Sequence, residues 1–141
     1  MNFEDFIKDG QVRKTSLDIS LIKSLFKNTI NDLKYLESQQ ITEISARKIV
    51  SNYYDCLRAI LEAIAYFDGY KIYQHEAFVS FLKNKNEEIS SIKFDRFRKI
   101  RNKINYYGGD ISIEEAEEIS EEIKKLTNNL IEKYLKGKIT S

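Results

Sequence analysis

The sequence predicts an all-α fold, an antiparallel bundle of four or five helices that forms a single domain. The 141 residues contain no proline, and this absence suits long uninterrupted helices. Apolar residues recur at three- and four-residue steps along most of the chain, as they do on the buried face of a helix. With 42% apolar residues, a chain of this length can form one core. No segment shows the alternation typical of a strand, so we expect no sheet.

The N-terminal third holds one clear helix. Residues 1–13 are mixed in character and indicate a loose arm or a short helix. The clear helix should begin at Thr15 or Ser16, which are good N-cap residues, with Asp18 in its first turn. Its apolar positions continue at helical spacing and predict an end near Ser38.

Two further helices are predicted in the middle of the chain. An apolar stripe predicts a long helix from about Glu43 to Phe67, and Gly69 is its expected C-terminal stop. A shorter helix should cover roughly Gln74–Lys83. The segment Asn84–Ser91 is polar, and we expect it to be a loop.

The C-terminal third predicts two more helices. The first runs from about Ile92 to Tyr107 and stops at the glycine pair that begins with Gly108. The second begins at Ser112, where Glu115 three residues later completes a capping-box pattern. Its apolar positions continue to Tyr134.

Composition narrows the classes of function only a little. With 23 basic and 22 acidic side chains, the net charge of +1 predicts no partner, so any electrostatic signal has to come from local clustering. No apolar run is long enough to span a membrane, and the N-terminus lacks the pattern of a secretory signal. The single cysteine, Cys56, cannot form an internal disulfide, and we expect a cytoplasmic protein. No cluster has metal-ligand spacing, so we expect no metal site and no cofactor.

The most informative segment is the fourth predicted helix. Between Lys93 and Lys103 there are six basic residues and one acidic residue, a local excess of +5. At about 100° per residue, one narrow face of this helix is apolar. The members of this expected core face are Phe97, Ile100, Ile104 and Tyr107. The roughly opposite face is polar and consists of Arg98, Arg101, Asn102, Asn105 and Tyr106.

This polar face has two interpretations. Two guanidinium groups about one turn apart can grip phosphate oxygens, while the amide and phenol groups offer hydrogen bonds to a sugar or a base. Alternatively, the face is simply solvated, or it pairs with the acidic first half of the last helix, residues 114–122. Spacing alone favours the second interpretation, because runs of charge are usually solvated.

Two segments of the chain resemble a known family. Residues 101–109 read RNKINYYGG and are followed by the capped helix start at Ser112. Upstream, residues 52–82 form a long helix pattern, with Gly69 before the short helix and His75 at its start. Together these segments resemble the HEPN superfamily, named for its presence in higher eukaryotes and prokaryotes. Its pattern is an arginine, preferably followed by a polar residue, and then a histidine a few residues on, near the end of a late helix.

The resemblance covers roughly residues 15–136 and carries its own expectations. It implies an up-and-down four-helix bundle with an additional short helix, and a homodimer that brings two motifs together in one cleft. Many family members are metal-independent ribonucleases, often toxins encoded beside a minimal nucleotidyltransferase antitoxin. Other members are thought only to bind nucleotides or RNA.

The chain departs from the family pattern at one position, because Tyr106 stands where the family has histidine. Metal-free RNA cleavage needs a group that takes the 2′-hydroxyl proton or protonates the leaving oxygen. A histidine, with a pKa of about 6.5, can do this at neutral pH, whereas a tyrosine, with a pKa of about 10, is a poor base. The substitution shifts the expectation towards binding without fast catalysis, although Arg101 could still stabilise a phosphorane-like transition state.

The predicted site combines the helix face and the resemblance. The candidate catalytic residues are Arg101, Tyr106 and Asn102, and the candidate ligand-binding residues are Arg98, Asn105 and His75. His75 is the single histidine of the chain, and its position at a helix start indicates a cap or a packing role. The alternative is that His75 reaches the Arg101 face from the neighbouring helix.

Two hypotheses about function follow. The first is an HEPN-like homodimer that binds RNA or a nucleotide, with a weakened or lost metal-independent ribonuclease activity, and works with a minimal nucleotidyltransferase partner. The second is a non-catalytic helical interaction or scaffold protein with no nucleic-acid role, whose basic helix is a solvated face or a protein interface. Salt-sensitive binding of RNA would favour the first, because phosphate contacts release counterions.

Overall fold

A computed structural model describes residues 1–139, of which 73% are helical and 4% lie in strands. The predicted all-α bundle with a short extra helix is confirmed, whereas the prediction of no sheet is wrong. The helices are α1 (Phe3–Lys8), α2 (Ile19–Glu37), α3 (Ala46–Phe67), α4 (Ala77–Asn84), α5 (Glu88–Tyr106), α6 (Ile113–Leu130) and α7 (Lys136–Ile139). A π-helical segment, Ile131–Leu135, joins α6 to α7. The strands are β1 (Val12–Lys14) and β2 (Tyr70–Ile72).

The long helix α3 is the centre of the bundle. Its apolar residues are buried on most of its circumference, and it packs against α2, α5, α6 and the strand β2. Leu57, Ile60 and Leu61 are fully buried at its middle. The short connection between α2 and α3 is typical of neighbours in an antiparallel bundle. One continuous core therefore surrounds α3, and it includes side chains from both ends of the chain.

The strands β1 and β2 form a two-stranded antiparallel ribbon that the sequence did not reveal. Val12 pairs with Ile72, and both side chains are buried against the core. The ribbon also explains why α2 does not begin at Thr15 or Ser16. The Thr15 N–H donates to the carbonyl oxygen of Gly69 at 2.8 Å and so keeps the chain extended. The N-cap is instead Asp18, whose carboxylate accepts from the backbone of the first turn.

The connection between α4 and α5 is shorter than predicted. The helix α4 starts later than Gln74, and α5 starts at Glu88 rather than near Ile92, so most of the expected loop Asn84–Ser91 is helical. Ser91 is fully buried and donates a hydrogen bond to the carbonyl oxygen of Glu88, which satisfies a polar group inside the first turn of α5.

Glu87, at the N-terminus of α5, ties this turn to the C-terminal segment. Its carboxylate accepts hydrogen bonds from Ser90, from the Lys133 ammonium and from the Tyr134 hydroxyl. Burial raises the pKa of Glu87, but these hydrogen bonds outweigh burial and hold the pKa below its ordinary value. These contacts hold the π-helical segment that follows α6 against the start of α5.

At the N-terminus of α6, the predicted capping box of Ser112 and Glu115 is confirmed.

We expect Glu87→Gln to lower the free energy of unfolding by about 1–2 kcal/mol at neutral pH, because charge-assisted hydrogen bonds contribute on this scale. The contribution is complete above the unfolded pKa, about 4.3, and is lost as the pH falls through the lowered native pKa. Urea unfolding at several pH values measures it. The control is Glu132→Gln, whose exposed pair with Lys136 should contribute less than about 0.5 kcal/mol. Equal effects of the two substitutions would contradict a special role for Glu87.

Candidate functional site

The predicted core face of α5 is largely confirmed. Phe97 and Ile104 are buried, Ile100 is half-buried, and the fully buried Phe94 extends the same face. Tyr107 is a correction, because its side chain is 83% exposed. The helix ends at Tyr106, and Tyr107 is its C-cap with a non-helical backbone (φ −118°, ψ 5°), so its side chain no longer follows the core face. Gly108 then turns the chain with a positive φ of 64°.

The polar residues of α5 face three different partners. Arg98 is held on its own helix, where its Nε and Nη2 atoms donate to Asp95 Oδ1 at 3.2 and 2.8 Å. Arg96 pairs with Glu122 of α6, and within residues 1–139 this is the ion pair that joins α5 to α6. The interpretation of a basic face paired with the last helix therefore fits Arg96 but not Arg98 or Arg101.

Arg101 faces α3 and has weak partners. Its Nη2 atom lies 3.8 Å from Asp55 Oδ1, and its Nη1 atom donates to the Tyr106 hydroxyl at 3.4 Å. The guanidinium also lies over two aromatic rings, 5.5 Å from the centroid of Tyr54 and 5.7 Å from that of Tyr106. Its Nε atom is buried and has no hydrogen-bond partner among the described residues. The buried Nε atom is closed to solvent, so an incoming acceptor would have to meet the Nη atoms, whose protein partners lie at 3.4 and 3.8 Å.

Tyr54 and His75 lie beneath this arginine. Tyr54 is fully buried, and its hydroxyl shares a hydrogen bond of 3.0 Å with His75 Nδ1. Its ring stacks on Phe94 at 5.6 Å between centroids. Burial raises the pKa of Tyr54 well above its ordinary value, although the neighbouring arginines oppose the shift. Tyr54 therefore lies between the two residues, with His75 bonded to its hydroxyl and Arg101 over its ring.

Three guanidinium groups surround the Tyr54–His75 pair. Burial, and then the positive charges of Arg58, Arg101 and Arg98, lower the pKa of His75 to about 4. His75 is consequently neutral at physiological pH. Arg58 is paired with Glu62 one turn along α3, as Arg98 is with Asp95. Of the three arginines, Arg101 has the most distant carboxylate.

The remaining predicted site residues differ in their contacts and in their exposure to solvent. Asn105 accepts a hydrogen bond of 2.9 Å from the Ser51 hydroxyl of α3 and lines an open groove with Asn52 and Asp55. Asn102 is half-buried, and Tyr106 is 69% exposed beside Arg101. All five predicted site residues on α5 thus lie on its polar side, but the two arginines among them do not face a common point.

The sequence prediction missed the contribution of α3. The α3 side chains that meet the α5 polar face are Ser51, Tyr54 and Asp55. Ser51 and Asp55 belong to a row of polar residues at steps of four, three and four that continues through Arg58 to Glu62. That spacing marks a single polar line on α3 and could have indicated that the line faces another element. Tyr54 could not be recognised, because a tyrosine on a largely buried helix fits a plain core position equally well.

Neither a metal cluster nor a membrane-crossing helix occurs in the described part of the chain. Within residues 1–139, no group of three or more histidine, cysteine, aspartate or glutamate side chains is placed to hold a metal ion. None of the helices in this range combines the length and the apolar character that crossing a bilayer requires.

Comparison of the chain with protein-family models, with curated proteins and with solved structures gave no match. The HEPN resemblance accordingly stays a prediction from sequence motifs.

Because the chain has one histidine, its pKa can be measured without assignment ambiguity. We expect the ¹H NMR signal of His75 to titrate near pH 4, and Arg58→Gln to raise that pKa towards its ordinary value of 6.5 by removing a nearby positive charge. The unfolded chain binds this proton between about pH 6.5 and about pH 4 and the native chain does not, so stability falls across this range as the pH falls.

Lys125→Gln, on the exposed surface of α6, is the control and should leave the titration of His75 unchanged. A wild-type pKa of 6.5 or above would show that the imidazole is not enclosed by the arginines.

Proposed function

We propose that the chain binds RNA or a nucleotide through Arg101, as a homodimer of the HEPN type. The observation that carries the proposal is the state of the Arg101 guanidinium. Its Nη atoms have only weak partners, the Tyr106 hydroxyl at 3.4 Å and an Asp55 carboxylate oxygen at 3.8 Å. Phosphate oxygens are strong acceptors that match the donor geometry of a guanidinium group.

The neighbours of Arg101 support a nucleotide rather than a bare anion. Tyr106 offers an exposed ring and a hydroxyl, and Asn105 offers amide donors beside the groove along α3. Rings of this kind can stack on a base, and amides can bond to a sugar or a base edge. In a homodimer, two Arg101 sites would share one cleft, and the ligand phosphates would offset the approach of like charges.

Catalysis, if the site retains it, would be slow. His75 is neutral and directed at Tyr54, so it is not available to Arg101 as an acid or a base. Arg101 could stabilise charge on a pentavalent phosphorus, but Tyr106 stands where a proton-transfer group is needed. We propose a weakened metal-independent ribonuclease that acts with a minimal nucleotidyltransferase partner, in keeping with the motif resemblance.

A second candidate is a helical interaction protein with no nucleic-acid role. It is favoured by the carboxylate partners that Arg58 and Arg98 already have, since paired arginines serve structure as readily as binding. In the first candidate Arg101 binds the phosphate of a ligand, whereas in the second it has no part in nucleic-acid binding.

We expect Arg101→Ala to weaken binding of a labelled oligoribonucleotide by about 1–3 kcal/mol, the scale of a lost charged hydrogen bond, with little change in Tm. Fluorescence anisotropy at several salt concentrations measures it, and the salt slope should fall because fewer counterions are released. The matched control is Arg96→Ala on the same helix, whose side chain pairs with Glu122 and should not affect binding.

Equal losses in the two variants would indicate non-specific attraction to a basic helix. Wild-type protein that binds no RNA or nucleotide, with Arg101→Ala indistinguishable from it, would favour the interaction protein. Light scattering on the same samples tests the dimer, and a monomer at micromolar concentration would contradict it.

We expect Tyr106→His to raise cleavage of RNA in the presence of a chelator, because an imidazole can accept a proton at neutral pH and a phenol cannot. The control is Tyr107→His, which adds the same group at the next position, where the side chain is exposed and does not contact Arg101. Rates that rise equally in both variants, or in neither, would contradict a catalytic geometry at position 106.

A further inference from the structure

The β1–β2 ribbon presents a basic and aromatic surface to solvent. Its inner side chains, Val12 and Ile72, are buried, so the alternate positions point outwards. Arg13 and Lys71 are register partners on the two strands, and both are exposed. Neither the sequence pattern nor the site on α5 accounts for this surface.

Tyr73 follows β2 directly and lies between the two cations. Its ring is 50% exposed, with the Arg13 guanidinium 5.3 Å and the Lys71 ammonium 5.1 Å from the ring centroid. We call Arg13, Lys71 and Tyr73 the ribbon patch. Within residues 1–139, neither of its two cations forms an ion pair, whereas each arginine around His75 has a carboxylate.

The ribbon patch borders a second groove, distinct from the one that Asn105 lines. Lys71 and Tyr73 line it together with Arg58, His75 and Glu62, and the Glu62 carboxylate is paired with Arg58. Arg58 lies three residues after Asp55, the partner of Arg101, and so falls on nearly the same side of α3. A ligand that occupies the Arg101 site and extends along α3 would therefore meet Arg58 and then the ribbon patch.

We propose that the ribbon patch is a second contact surface for single-stranded RNA, on which one base stacks on Tyr73 while the neighbouring phosphates lie against Arg13 and Lys71. The inference rests on the proposed function and adds the form of the substrate to it. Exposed rings beside cations bind single strands with little regard to sequence, because every base has a face to stack and duplex bases are already stacked. Cations without an ion pair beside an exposed ring are the combination that this mode of binding needs.

The test compares an oligouridylate of roughly ten nucleotides, long enough to follow a groove, with uridine monophosphate on the full chain. We expect Tyr73→Ala to weaken binding of the oligonucleotide about tenfold, the scale of one lost base stack, and to leave the mononucleotide unaffected. Tyr73→Phe keeps the ring and should keep the affinity. Lys71→Gln should weaken oligonucleotide binding and lower its salt dependence, whereas Lys125→Gln on α6 should do neither. Because Tyr73 is half exposed, the melting temperature should be unchanged in both tyrosine variants.

The outcomes separate this inference from the proposed function. If Arg101→Ala weakens oligonucleotide binding while Tyr73→Ala and Lys71→Gln do not, the ribbon patch is not an RNA surface and the proposed function stands. If double-stranded RNA competes as well as the single strand, stacking on Tyr73 is wrong. If the wild-type protein binds neither probe, the proposed function and this extension both fall. An acidic peptide that binds the ribbon patch in place of the oligonucleotide would also overturn the inference.

Discussion

The hydrogen bond between Tyr54 and His75 is the interaction on which the arrangement of the site depends. A phenol in the centre of the bundle needs a partner for its hydroxyl, since an unsatisfied buried polar group costs about 1–3 kcal/mol. His75 supplies it at 3.0 Å and thereby fixes the segment between β2 and α4 against α3. That segment follows Tyr73, and the Tyr54 ring also lies against the Arg101 guanidinium, 5.5 Å from the ring centroid. One buried contact thus positions both surfaces to which we assign a function.

The chain is nearly neutral, but its carboxylates are unevenly distributed among its basic residues. Glu62 and Asp95 sit close to Arg58 and Arg98, so these arginines are largely compensated. Arg101 is only loosely paired, and the cations of the ribbon patch have no carboxylate within 4 Å in the described part of the chain. The positive electrostatic potential near Arg101 and the ribbon patch therefore comes from the lack of nearby carboxylates. The net charge of +1 does not reveal this local excess.

The helices could be predicted because they depend on local signals. The capping box at Ser112 and the apolar periods of α2, α3 and α6 are readable within a few turns of sequence, and the structure confirms them. The start of α2 at Asp18 could not be read this way, because Gly69, which is distant in sequence, holds Thr15 in an extended conformation. For the same reason the ribbon was missed. Strands of three residues are too short to show alternation, and their pairing joins segments that lie far apart in the chain.

The sequence alone identified the fold class, the polar face of α5 and the residues on it, because helical periodicity assigns a side to each position of a helix. It could not tell which element each of those residues would face. Packing decided that Arg98 meets Asp95, that Arg96 meets Glu122, and that Arg101 meets α3. Packing also placed Tyr54 beneath Arg101 and turned His75 towards the Tyr54 hydroxyl instead of Arg101. Contacts between helices depend on how the core closes around α3, and that closure is a property of all the buried side chains together, which no single segment of sequence contains.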